Sequence, residues 1–314
     1  MIDTVGILLG GLLPAVVAAV AMLAAWRLSR NATVAWLVGL SLGYLVGHWA
    51  IDARGVGFPA AVAKFANPHE ARDWLPLAVL SAAVIEASAI WGRTAVGFAW
   101  VLRGFWCCFL PWRLLSGSVY LPRTQSSFNT AAWSPLEAIA WLGGASVLLA
   151  LIWLAIRLMP ERTLPRLRSS LSTLVALGAT ATITLSGSLT TGQLLGVLTA
   201  TLVGCGMVAA ALRLERGPEA AAGPLLAVYG GVLVIARFLL SPELPLFYTS
   251  MLLVALITAV AWIDPPAWLS KRGHALVRFV VCLAALALAV IPAARDFVAS
   301  QAESSNDPYL NFEP

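Results

Sequence analysis

Read for hydrophobic and polar positions, the chain is a succession of long apolar runs broken by short polar or arginine-bearing stretches. A helix needs about 20 mostly apolar residues to cross a hydrocarbon core of about 30 Å. Ten segments approach that length: residues 5–25, 32–50, 75–91, 94–114, 135–156, 171–188, 193–212, 224–240, 247–263 and 276–290. Strict apolar/polar alternation is missing, which excludes lipid-spanning strands, since these must alternate and close into a barrel. The pattern therefore predicts an all-α polytopic membrane protein, a bundle of about ten transmembrane helices. Around Trp91-Gly92-Arg93 a re-entrant hairpin is the alternative to two full passes.

The runs fall into two groups of five. Residues 1–156 form a first membrane half, 157–170 an arginine-rich connector, 171–293 a second half and 294–314 a polar, acidic tail. An odd number of passes per half would set the two halves in opposite orientation, the layout of inverted-repeat transporters. The string Leu-Ser-Gly-Ser closes both the fourth and the sixth run, at 115–118 and 185–188. Turn and cap chemistry accounts for it, and a paired outer-face site is the sharper alternative. In the second run Gly39, Gly43 and Gly47 recur every fourth residue, which flattens one helix face and lets another backbone approach, within the chain or across a dimer. Pro14 is expected to kink the first helix. Residues 58–65 are apolar enough for a short interfacial helix.

Composition and charge sharpen this picture. Of the 314 residues 60% are hydrophobic and 11% charged, against about 25% charged in soluble domains. That excludes a soluble enzyme and a nucleic-acid-binding domain. With the amino terminus outside the cytoplasm, the inner connections hold twelve basic residues and the outer ones seven, with Arg103 left mid-span. This is the bias expected of an inner (plasma) membrane protein with both termini outside. Trp26, Trp36, Trp49, Trp74, Trp91, Trp112, Trp133, Trp262 and Trp268 fall near run ends, where headgroup-level tryptophans are expected. Met1-Ile2-Asp3 puts an acid where a secretory signal carries positive charge, so the first helix is expected to be retained.

Chemistry-bearing residues are few. Ionisable side chains inside a span cost about 2.5–3.5 kcal/mol on insertion scales and are candidates for function. Glu86 and Arg103 are the two clear cases, with Glu137 and Arg237 close enough to the outer ends to snorkel. On adjacent antiparallel helices the first two differ in depth by roughly 6 Å at 1.5 Å per residue, and each side chain leans toward the other's level. The pair is either a structural clasp or a proton or anion site. Thr180 and Thr184 share a helix face that could line a polar pathway with them. His48 and Asp52 stand four apart at the outer end of the second run, as a sensing or a capping pair. Arg93 and Arg113 read as snorkelling arginines.

His48, His69 and His274 are scattered, and Cys107, Cys108, Cys205 and Cys282 all lie inside runs, so neither a metal site, a haem site nor a disulfide framework is expected. No cofactor follows from any motif. The expected partners are the lipid bilayer and a second copy or a membrane-complex subunit, engaged through the glycine face or through the tail at Tyr309 and Phe312. Two function classes remain ahead of a membrane enzyme. A secondary transporter or permease for a small solute requires Glu86, Arg103 and the threonine face to border a polar cavity. A non-catalytic structural or accessory subunit of a membrane complex requires the charges to be sealed against each other. The intramembrane polar groups tilt the sequence toward the first.

Overall fold

The computed structural model describes residues 8–91, 96–122, 132–158, 165–240, 243–260 and 271–305. Within them the chain is helical apart from turns and one isolated bridge between Ser116 and Leu121. A π-helical turn, Leu8–Leu12, leads into α1 (Leu13–Ser29), followed by α2 (Ala32–Val56), the short α3 (Phe58–Ala66) and α4 (Leu75–Trp91). Next come α5 (Val96–Leu115), α6 (Pro135–Leu158), α7 (Pro165–Leu185) and α8 (Leu189–Leu212). The last three are α9 (Ala222–Phe238), α10 (Leu246–Val260) and α11 (Lys271–Ser305). The Gly92-Arg93 turn, Arg162 in the connector, the first residues Met1-Ile2-Asp3 and the tail aromatics Tyr309 and Phe312 lie outside the described residues.

Each of the ten apolar runs carries a long helix, and the run at 58–65 carries α3. Length and composition qualify seven helices to cross a membrane among the described residues, not ten. The exceptions are α5, interrupted by Arg103 and Arg113, α7, whose first turns are rich in Arg and Ser, and the 15-residue α10. The tail also departs from expectation. Instead of ending near residue 290, α11 continues unbroken to Ser305, so much of the polar tail is helix.

Local chemistry explains the helix ends. The Asn31 side chain accepts from the backbone N–H groups of Thr33 and Val34 and starts α2. Ser134 and Glu137 close a capping box at the start of α6, which gives Glu137 a local role. The two Leu-Ser-Gly-Ser strings are chain reversals: Gly117 has φ +87° and Gly187 has φ +98°, a left-handed conformation that glycine adopts without strain.

The core is organised around α9. Every residue of α9 except Arg237 is buried, and α9 packs against α2, α4, α5, α6, α8 and α10. Gly230 and Gly231 of α9 admit Leu149 of α6 and Leu75 of α4, whose methyl groups stand 2.6 Å from where a Cβ would lie. The glycine face of α2 is filled from within the chain by α1 and α8. A Cβ on Gly39 would meet Met22 and Cys205, one on Gly43 would meet Ala18 and Thr201, and one on Gly47 would meet Val197 and Pro14. The close approach those glycines permit is therefore made inside the protomer, and the face is not left open for a second chain.

Contacts sort the polar residues by end. At one end Arg216 donates to Thr33, Trp36 donates to the Arg216 carbonyl, Arg168 pairs with Glu219, and Arg278 donates to the last carbonyls of α10. At the other end Arg113 stacks on Trp74, Arg237 pairs with Glu243, and Tyr248 donates to Asp296. The Tyr120 hydroxyl, in the connection after α5, donates a hydrogen bond to the Glu243 carboxylate, which holds the phenol protonated and raises its pKa. Trp36 belongs to this interior network and is fully buried, so it is not a headgroup anchor as its place in the sequence suggests.

The glycine seam yields a stability test. On Gly43 a Cβ would sit 2.6 Å from the Ala18 Cβ and 2.8 Å from Thr201 Cγ2, whereas on Gly104 it would meet nothing within 4 Å. Gly43→Ala should lower the stability of the detergent-solubilised protein by about 1–3 kcal/mol through overpacking, and Gly104→Ala, a helix-interior change into open space, should not lower it. Thermal unfolding of the two variants checks this, and equal midpoints would refute the packing of α2 described above.

Candidate functional site

The buried stripe of α4 runs Leu75, Val79, Ala82 and Glu86, spaced by one helical turn each, and only the last member is charged. On α5 the stripe Ala99, Arg103, Trp106, Cys107, Leu110 and Leu114 presents Arg103 in the same way. Packing of α4 on α5 brings the two side chains together, and Arg103 Nη2 donates to Glu86 Oε2 at 3.1 Å. Glu86 is 1% exposed and Arg103 7%.

Two further residues complete the site, both from α6. Trp153 Nε1 donates to Glu86 Oε1 at 2.7 Å, and Arg157 Nη2 donates to Oε2. The sequence points to neither. Arg157 reads as one more basic residue of the connector, but α6 continues to Leu158 and carries it back to Glu86. The visible signal was the i, i+4 spacing of Trp153 and Arg157, which sets both on one helix face. Aromatic packing fixes the cations. The Arg103 guanidinium lies 4.7 Å from the Trp100 ring centroid and 5.8 Å from that of Trp153. Trp106 meets Trp153 edge-on at 5.3 Å and donates to Ser81 of α4 at 2.9 Å.

The fourth wall is α9. A Cβ on Gly223, in the first turn of α9, would lie 2.9 Å from Trp153 and 3.1 Å from both the Ala82 carbonyl and Glu86 Cγ. The Glu86 side chain thus packs through its Cγ against the first turn of α9. Each carboxylate oxygen accepts at least one charged or N–H donor, and two guanidiniums share one negative charge. This arrangement fixes the position of the carboxylate from both of its oxygens. A cavity of about 270 Å³ lies beside Arg103, Trp100 and Trp153, but Glu86 is not part of its lining.

Thr180 and Thr184 do not join this group. Thr180 Oγ1 donates back to the Ala176 carbonyl at 2.8 Å, and Thr184 Oγ1 fills the space left by Gly192, 2.1 Å from where its Cβ would be. Their face is the seam between α7 and α8. His48 and Asp52 are close, with Nε2 3.5 Å from Oδ2, and they share a cavity of about 200 Å³ with Lys64 of α3 and Asp73, neither of which the sequence associates with them. Asp73 is bound to its own turn, where it accepts from the N–H groups of His69 and Glu70.

The donor set gives a direct test. Trp153→Phe keeps the ring but removes the N–H that Glu86 Oε1 accepts, and should cost about 1–3 kcal/mol as an unmet buried acceptor. Gly223→Val should be worse, since it collides with Trp153 and Glu86 together. Denaturation in detergent, with Trp141→Phe as a control outside the site, reads both. A Trp153→Phe variant as stable as the control would remove Trp153 from the site. Comparison with known protein families, with characterised proteins and with solved structures finds no match for this chain, so its functional reading rests on this geometry.

Proposed function

We propose that the protein is a non-catalytic structural or accessory component of a membrane assembly. In this reading it crosses an inner membrane ten times, and Glu86, Arg103, Arg157 and Trp153 are a clasp that locks its central helices. One observation carries it: the carboxylate that a transporter would use is 1% exposed and already engaged by two arginines and a tryptophan. The threonines that would continue a polar path are turned into a helix seam. A secondary transporter for a small solute, the reading the sequence favours, requires water or solute to reach Glu86, and no described cavity is lined by it.

Ten passes are supported by the alternation of contacts. Successive long helices connect the end that holds Arg157, Arg168, Arg216 and Arg278 with the end that holds Trp74, Arg113, Glu243 and Asp296. The arginine-rich end faces the cytoplasm under the positive-inside rule, which leaves both termini on the far side. The partner is a second subunit of the assembly, met outside the glycine face that α1 and α8 already occupy.

Two measurements check the reading. In proteoliposomes on a solid-supported membrane, a pH jump should give no protein-dependent charge movement, and Glu86→Gln should behave like the wild type. A transient current abolished by Glu86→Gln would establish proton coupling and overturn the clasp. For orientation, a reporter active only outside the cytoplasm and fused after Pro314 should be active; an inactive fusion would contradict the topology while leaving the clasp untouched.

A further inference from the structure

Between α7 and α8, at the arginine-rich end, lies a cleft of about 570 Å³, within the usual range of about 300–1,000 Å³ for small-molecule sites. Its lining changes character along its length. Ser169, Ser170 and Thr173 in the first turns of α7 and Arg216 beyond the end of α8 supply hydroxyls and a guanidinium, whereas Leu177 and Met207 farther along are apolar. Ser169 to Leu177 spans roughly 12 Å of helix at 1.5 Å per residue. A polar, cationic mouth followed by an apolar trough matches a ligand with an anionic head and a hydrocarbon tail.

Charge supplies the second argument. Among the described residues of this end, Arg27, Arg30, Arg103, Arg157, Arg168, Arg213, Arg216 and Arg278 outnumber Glu86, Glu215 and Glu219. Arg157 stands within Coulombic reach of Arg216, as Arg278 does of Arg168 and Glu219. Pairing within the protein neutralises part of this charge and leaves a net positive field at the mouth of the cleft. Basic pockets between membrane helices on the cytoplasmic side are where anionic headgroups bind.

We propose that this cleft is a specific site for an anionic phospholipid, with its phosphate at Ser169, Ser170 and Arg216 and an acyl chain along Leu177 and Met207. The proposal goes beyond the clasp reading and rests only on membrane placement with this end at the bilayer surface. The lipid would brace α7 against α8 and add negative charge where the protein's own acids fall short.

The test uses the delipidated full chain in detergent, titrated with phosphatidylglycerol, with phosphatidylcholine and with inorganic phosphate, and read by thermal unfolding and by native mass spectrometry. Phosphatidylglycerol should raise the unfolding midpoint and bind about tenfold more tightly than phosphatidylcholine, the effect of one charge-assisted contact. Arg216→Gln should abolish most of that preference. Because Arg216 also holds Thr33, Ser170→Glu is the second variant: it adds a repelling charge at an exposed position and should remove the preference while unfolding in phosphatidylcholine stays at the wild-type midpoint. Equal binding of the two lipids by the wild type, retention of the preference in both variants, or stabilisation by inorganic phosphate equal to that by phosphatidylglycerol would each overturn the proposal. None of these outcomes bears on Glu86.

Discussion

A carboxylate placed on the inward stripe of an apolar helix must find cations or impose a penalty of several kcal/mol. Glu86 is that carboxylate, and the arrangement of the first-half helices around it follows from meeting its demand. The side chain of α4 draws Arg103 from α5 and both Trp153 and Arg157 from α6, and it is backed by the first turn of α9. Four helices thus converge on one functional group. Apolar packing alone specifies depth and rotation loosely in a bilayer, because lipid tails compete for the same contacts. A charge with defined donors specifies both.

The central helix makes this convergence possible. Gly223, Gly230 and Gly231 let α4 and α6 close on the first half of α9, so the clasp at one end and the Leu149 and Leu75 contacts farther along belong to one continuous surface. On the opposite flank α1 and α8 occupy the Gly39, Gly43 and Gly47 face of α2. Small residues set the helix separations, and the few charges fix the register.

Much of this was legible in the sequence, and for identifiable reasons. Apolar run length located the long helices, and the scarcity of charge within those runs singled out Glu86 and Arg103. Opposed lean along two antiparallel helices anticipated the meeting with Arg103. Arg157 and Trp153 escaped because a third helix, distant in sequence, supplies them, and because a helix that runs two residues past the apolar run changes a surface arginine into an interior one. Thr180 and Thr184 share the face that periodicity gives them, and that face packs on Gly192 of α8, a fact of packing rather than of periodicity. The extension of α11 to Ser305 follows helix propensity in Ala-, Arg- and Glu-containing sequence, which hydropathy does not register.

The most direct measurement of the clasp is a double-mutant cycle between Glu86 and Arg157, with Glu86→Gln, Arg157→Met and the combined variant compared by unfolding free energy in the same detergent. If the two side chains are partners, the single changes are each more damaging than their combination implies, with a coupling energy of about 1–3 kcal/mol. Strictly additive effects would contradict the account.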